Sequence, residues 1–84
     1  MKYDLKILKS AQKSLAKISE PFQSKIIDRI YNLADNPYHN AKKLVGRDAY
    51  RIRVGNYRII YEIINNELIV LVINIGHRKD AYCK

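Results

Sequence analysis

The sequence predicts an α+β domain: one N-terminal strand, two antiparallel helices, then a three-stranded antiparallel meander, all strands in a single sheet with the helices on one face. Three observations predict it. Residues 2–7 alternate polar and apolar, residues 10–36 carry apolar positions at helical spacing, and residues 50–75 form three β-branched runs broken by Gly and Asn. A chain of 84 residues suits one domain, read here as spanning 1–84.

Tyr3, Leu5 and Ile7 alternate with Lys2, Asp4 and Lys6, the pattern of a half-buried strand running to about Leu8. Ser10 is the expected cap of a short helix through Lys17, whose apolar stripe is Ala11, Leu15 and Ile18. Ser19-Glu20-Pro21 reads as a second helix start, with serine as the cap and proline in the first turn. Phe22, Ile26, Ile30 and Leu33 then keep a helical period until Asn36-Pro37 stops it. Residues 37–48 read as loop approaching the sheet, and Lys42 and Lys43 could extend a basic surface there.

The meander is expected as strands Tyr50–Val54, Tyr57–Ile64 and Glu67–Ile75, joined by two-residue turns at Gly55-Asn56 and Asn65-Asn66. That register sets Arg53 opposite Arg58 and Arg51 opposite Ile60, so the three arginines share a face. Like charges directly opposed across strands are destabilising, and an anion held between them explains the arrangement. In the same register Ile73 faces Arg58, and Ile75 and His77 continue on the arginine face. Arg78 and Tyr82, in the tail that follows, can turn back over it. Four guanidiniums, an imidazole and a phenol suit a phosphodiester: planar forks grip phosphate and a ring stacks on a base.

Net charge is +8, from 16 basic and 8 acidic residues, which favours a polyanionic partner. The single cysteine, Cys83, suits a reducing compartment. The N-terminus does not read as a targeting signal, and the apolar runs are strand-length, too short for a membrane-spanning helix. No Gly-rich phosphate loop and no Cys/His set with metal-ligand spacing is present, so neither a cofactor nor a metal is expected. The acidic residues read as solvated or capping groups. The last two strands are apolar on both sides, and two short helices can cover one face of a sheet. The uncovered face predicts a bound protein, expected to be helical, or a second copy of the chain.

Strand–helix–helix followed by Ala41-x-x-Leu44-x-Gly46, Tyr50-Arg51-Ile52-Arg53, Tyr57-Arg58-Ile59-Ile60-Tyr61 and Gly76-His77-Arg78-Lys79-Asp80-Ala81-Tyr82 resembles the RelE branch of the RelE/ParE toxins of type II toxin–antitoxin pairs. The helical half is generic; the hairpin and the tail are specific. The resemblance implies a cytoplasmic, ribosome-dependent endoribonuclease, an mRNA interferase that cuts messenger RNA in the ribosomal A site and is neutralised by a RelB-like antitoxin. It implies that Arg51 and Arg53 orient the RNA backbone, that Arg58 clamps the phosphate, that Arg78 stabilises the transition state and that Tyr82 stacks a base. Some relatives carry lysines where this chain has Arg51 and Arg53. An arginine stays protonated, so His77 becomes the candidate general base, with a structural or an RNA-stacking role as its alternatives and Tyr82 as a weaker base. Two other readings stand beside this one: a ParE-like toxin acting on DNA gyrase, and a non-catalytic RNA-binding relative.

Overall fold

The computed structural model describes residues 2–46 and 48–77. Strand β1 (Asp4–Ile7) leads into helix α1 (Lys9–Ala16) and helix α2 (Phe22–Asp35); then come β2 (Lys42–Lys43), β3 (Ala49–Val54), β4 (Tyr57–Ile64) and β5 (Ile69–His77). The five strands form one sheet in the order β1-β5-β4-β3-β2. β1 lies parallel to β5, and every other pairing is antiparallel. The meander is thus inserted between β1 and the short strand β2. Lys42 and Lys43, expected in a loop, form that edge strand.

The alternation in each strand selects the face that meets the helices. Ile52, Ile59, Tyr61, Val70, Val72 and Ile75 form one buried cluster with Ala11, Ile18, Ile26, Ile30 and Leu33 from the helical segment. Both helices begin without the expected serine caps. At α2 the Glu20 carboxylate accepts the Ser24 backbone N–H instead, at 3.1 Å. A longer side chain reaching forward satisfies one of the donors that a serine would have taken.

The hairpin β3–β4 has the expected register. Val54 pairs with Tyr57 and Arg53 with Arg58, around a turn in which Gly55 has φ +59°. The β4–β5 connection differs. Asn65–Glu67 is a turn of 3-10 helix, closed by Leu68 in the left-handed region at φ 54°, so β5 starts at Ile69 and not at Glu67. This moves the pairing by two residues, which leaves each side chain on its expected face. A β-bulge moves it by one more: Tyr61 pairs with Val72 but Ile60 pairs with Asn74, and Ile73 is the extra residue. An odd shift exchanges faces. Ile75, expected beside the arginines, is buried in the core opposite Ile59, and Gly76 rather than Ile73 stands opposite Arg58.

The turn is tied down by side chains. Asn65 accepts the Tyr3 hydroxyl at 2.8 Å and donates to the Tyr38 hydroxyl at 3.0 Å. Below it Tyr61 is fully buried and donates to the Pro37 carbonyl at 2.6 Å. Burial pushes the Tyr61 phenol up to about 12, against a smaller opposing pull from Arg29. A folded-state pKa above the ordinary value of about 10 means that the neutral phenol stabilises the fold fully below that pH and loses its contribution as pH rises towards 12. Alkaline unfolding followed by circular dichroism is expected to show a loss of about 2–3 kcal/mol across this window that is missing in Tyr61→Phe. Equal alkaline slopes for the two proteins would remove Tyr61 from that role.

Candidate functional site: a basic face on an open sheet

The helices pack on one side of the sheet, and the arginines occupy the other. Arg51, Arg53 and Arg58 alternate with core residues along β3 and β4 and so belong to the face away from the helices. Arg53 is exposed; Arg58 is half-buried, its Nε out of solvent. Arg58 therefore lies between Arg53 on one neighbouring strand and Gly76 on the other. Glycine has no side chain, and the Asn74 side-chain oxygen lies 3.4 Å from where a Gly76 Cβ would stand, so Asn74 borders that side. Lys42 pairs with Arg51 across β2 and β3 and so extends the basic row on this face. Lys43 pairs with Tyr50 instead, which puts it on the opposite side, within 3.7 Å of the Asp48 carboxylate. Of the two lysines assigned to the basic surface, Lys42 alone joins the arginines.

His77 is placed differently from the sequence expectation. After the bulge it pairs with Tyr57, whose side chain belongs to the helix-covered face, and the two rings meet edge to face at 5.3 Å. The imidazole and the arginines thus lie on opposite sides of the sheet. Arg78 and Tyr82, also expected at the site, lie outside the described residues.

Two members of the face were missed in the sequence. Glu62 belongs to it by the simple alternation 58, 60, 62, and stands opposite Ala49, diagonal to Arg51. It is half-buried rather than solvated. A carboxylate at that place can orient the Arg51 guanidinium or repel a misplaced phosphate. Asn74, opposite Ile60, adds an exposed amide, and only the bulge brings it there. Ile60, Ile64, Ile69 and Leu71 make the remainder of the face apolar and half-exposed. Among the described residues no group of three His, Cys, Asp or Glu side chains converges as metal ligands would, and no helix is long and apolar enough to cross a membrane.

The geometry offers a charged, open surface that can hold a phosphodiester by guanidinium forks, next to an apolar surface that can take a protein partner. Known proteins resemble it throughout. The family model described as the ParE toxin of the type II toxin–antitoxin system parDE matches residues 5–82. A protein of Escherichia coli described as RelE-like toxin is 31% identical over 87 aligned positions, covering 98% of this chain and 92% of the relative. The mRNA interferase toxin RelE of the same species is 28% identical, over 94% of this chain and 86% of its own. Among solved structures, a chain of the intact E. coli RelBE toxin–antitoxin complex superimposes with a TM-score of 0.80 at 27% identity, covering 89% of this chain and 95% of the other. A chain of the Mycobacterium tuberculosis RelBE2 complex reaches a TM-score of 0.84 at 21% identity, covering 93% and 100%, and that likeness speaks to the fold alone.

Proposed function

Because the chain belongs to the RelE/ParE superfamily and is a RelE-like toxin of a type II toxin–antitoxin system, we propose that it is an endoribonuclease that cuts messenger RNA on the ribosome. The observation that carries this reading is the pairing of Arg53 directly against Arg58 on the sheet face away from the helices, with Arg51 beside them and Gly76 on the next strand. Two opposed cations weaken a sheet in isolation and strengthen it around a bound anion.

The chemistry is transesterification. The ribose 2′-oxygen attacks the adjacent phosphorus, a five-coordinate phosphorane collapses, and the bond to the 5′-oxygen of the next nucleotide breaks. The products are a 2′,3′-cyclic phosphate and a free 5′-hydroxyl, and the proton lost by the 2′-hydroxyl is balanced by one gained at the leaving oxygen. Arg58 holds the non-bridging oxygens and stabilises the charge that grows on them in the phosphorane. Arg53, Arg51 and Lys42 guide the flanking phosphates. Arg78 supports the transition state and Tyr82 stacks a base. His77, on the far side of the sheet, is not the base in this scheme. Catalysis rests on electrostatic stabilisation and on the in-line geometry that the ribosome imposes on the message.

A RelB-like antitoxin is the partner, and the apolar, half-exposed part of the same face is where a neutralising protein would also shield the arginines. This is supported by the complexes in which the structural relatives were solved.

Cleavage is tested by translating a defined message with purified ribosomes and mapping its 5′ ends by primer extension. Discrete cuts inside the reading frame, dependent on ribosomes, are expected. Intact message with lost supercoiling by DNA gyrase would instead favour the ParE-like reading, which the family model that matches residues 5–82 keeps in view.

A further inference from the structure

The exchange of faces at the bulge gives His77 a second setting. On the helix-covered side, where the ends of β4 and β5 pass the end of α1, there is a crevice of about 360 Å³. This lies in the range of roughly 300–1,000 Å³ typical of small-ligand clefts. Tyr57 and His77 line it, Ile18 and Ile75 add apolar residues, and Ser14 and Lys17 complete the wall. Ile18 and Ile75 belong to the core, so these walls are held firmly. Tyr57 and His77 are half-buried, and Lys17 is exposed.

The rings continue beyond the crevice. Phe22 lies 5.6 Å from Tyr57, Tyr57 lies 5.3 Å from His77, and Lys25 stands 6.0 Å from the Phe22 centroid. Gly55 belongs to this arrangement, since a side chain there would begin 3.5 Å from the Phe22 ring. The first contact is tilted at 50° and the second is edge to face at 85°, so the rings form one packed aromatic cluster with lysines beside it, and an exposed ring face of such a cluster can stack an unpaired base.

The crevice also adjoins the arginine face. Gly76 lines it, and in the ladder the same residue stands opposite Arg58. The crevice and the arginine face thus share the Gly76 backbone from opposite sides of the sheet.

We propose that this crevice is a second RNA subsite, which takes one unpaired nucleotide with its base against Tyr57 and His77 and its phosphate at Lys17. The proposal rests on the reading of the arginine face as an RNA site and adds to it a place for a nucleotide flanking the cut. Ser14, whose hydroxyl bonds the Ser10 carbonyl at 3.2 Å, can turn that hydroxyl to a base edge or a ribose.

The test is a nuclear magnetic resonance titration of the isotope-labelled protein with adenosine 5′-monophosphate, with adenosine and inorganic phosphate as separate arms. The nucleotide is expected to shift the Tyr57 and His77 ring signals and the Ser14 amide. His77→Ala is expected to weaken binding about fivefold or more, the lower end for loss of a stacking ring. Lys17→Ala is expected to weaken the nucleotide but not adenosine. Both substitutions lie outside the buried cluster, and unchanged core methyl signals check that the fold is kept. Shifts confined to Arg51, Arg53 and Arg58 overturn the proposal. So do phosphate-only shifts at His77, which would mark an anion site without base recognition. Nucleotide shifts at the crevice in a protein that cleaves no message would sink the nuclease reading and leave this site standing; cleavage without those shifts would do the reverse.

Discussion

Arg58→Ala is expected to lower the single-turnover rate of message cleavage on programmed ribosomes by about a hundredfold to a thousandfold, the usual cost of deleting one preorganised donor to a developing oxyanion. The size follows from the place of the residue. Arg58 is half-buried, with Arg53 on one side and the side-chainless Gly76 on the other. A guanidinium in that setting is less screened than one in bulk water, and it cannot be replaced by a neighbour that already serves another phosphate. Arg58→Lys is expected to restore only part of the rate, because a point charge lacks the planar fork. Arg53→Ala, at an exposed position, is expected to lose less than Arg58→Ala. A rate in Arg58→Ala equal to wild type would show that the phosphate is clamped elsewhere. The melting temperature of the variant separates a lost donor from a lost fold.

The largest stability effect is expected at the residue next to it. Ile59→Ala should cost about 2–5 kcal/mol, the range for truncating a buried isoleucine to alanine. Ile59 is fully buried, opposite Ile52 on β3 and Ile75 on β5. It thus sits at the middle of the three strands that carry the arginine face, packed against the helical side of the core. A domain of this length has a total stability of about 4–13 kcal/mol, so the loss removes a large share of it. Thermal unfolding is expected to fall by more than about 10 °C, at roughly 4–8 °C per kcal/mol for a domain of this size. A fall of only a degree or two would mean that the layer beneath the arginines collapses around the missing methyl groups. Because Arg58 and Ile59 point to opposite faces of one strand, the pair also separates catalysis from scaffolding: the first should cost rate without stability, the second stability before rate.

How the site is built explains which parts of it could be read in advance. The arginine pairing was legible because it is local. Four residues separate Arg53 from Arg58, the turn between them needs positive φ, and Gly55 supplies it; no distant contact has to be known. The helices were legible for a similar reason. Ile26, Ile30 and Leu33 recur at the spacing of a helix and are all buried. The resemblance to the toxin family rests on the hairpin and on the motif Gly76-His77-Arg78-Lys79-Asp80-Ala81-Tyr82, and the family match runs across both.

His77 shows the limit of that approach. Its face depends on counting through β5, and two events on the way change the count. Asn65-Asn66 reads as a two-residue turn, yet Leu68 takes the left-handed conformation and lengthens the connection. That conformation is costly for a side chain other than glycine, and the contacts around it favour it here: Asn65 holds Tyr3, just before β1, and Tyr38, just after α2. The bulge at Ile73 carries no local signal either. It lets Val72 and Ile75 both reach the core, which strict alternation would forbid.

The sequence by itself determined the helices, the β3–β4 hairpin and the three arginines on one face, because short-range periodicity and a single glycine turn suffice for them. The tertiary structure alone decided the lengthened β4–β5 turn, the bulge, the edge pairing of Lys42 with Arg51, the parallel contact of β1 with β5, and with them the face on which His77 lies. These depend on which apolar side chains must share one core across long stretches of chain, and burial of that core outweighs the local preference of any one turn.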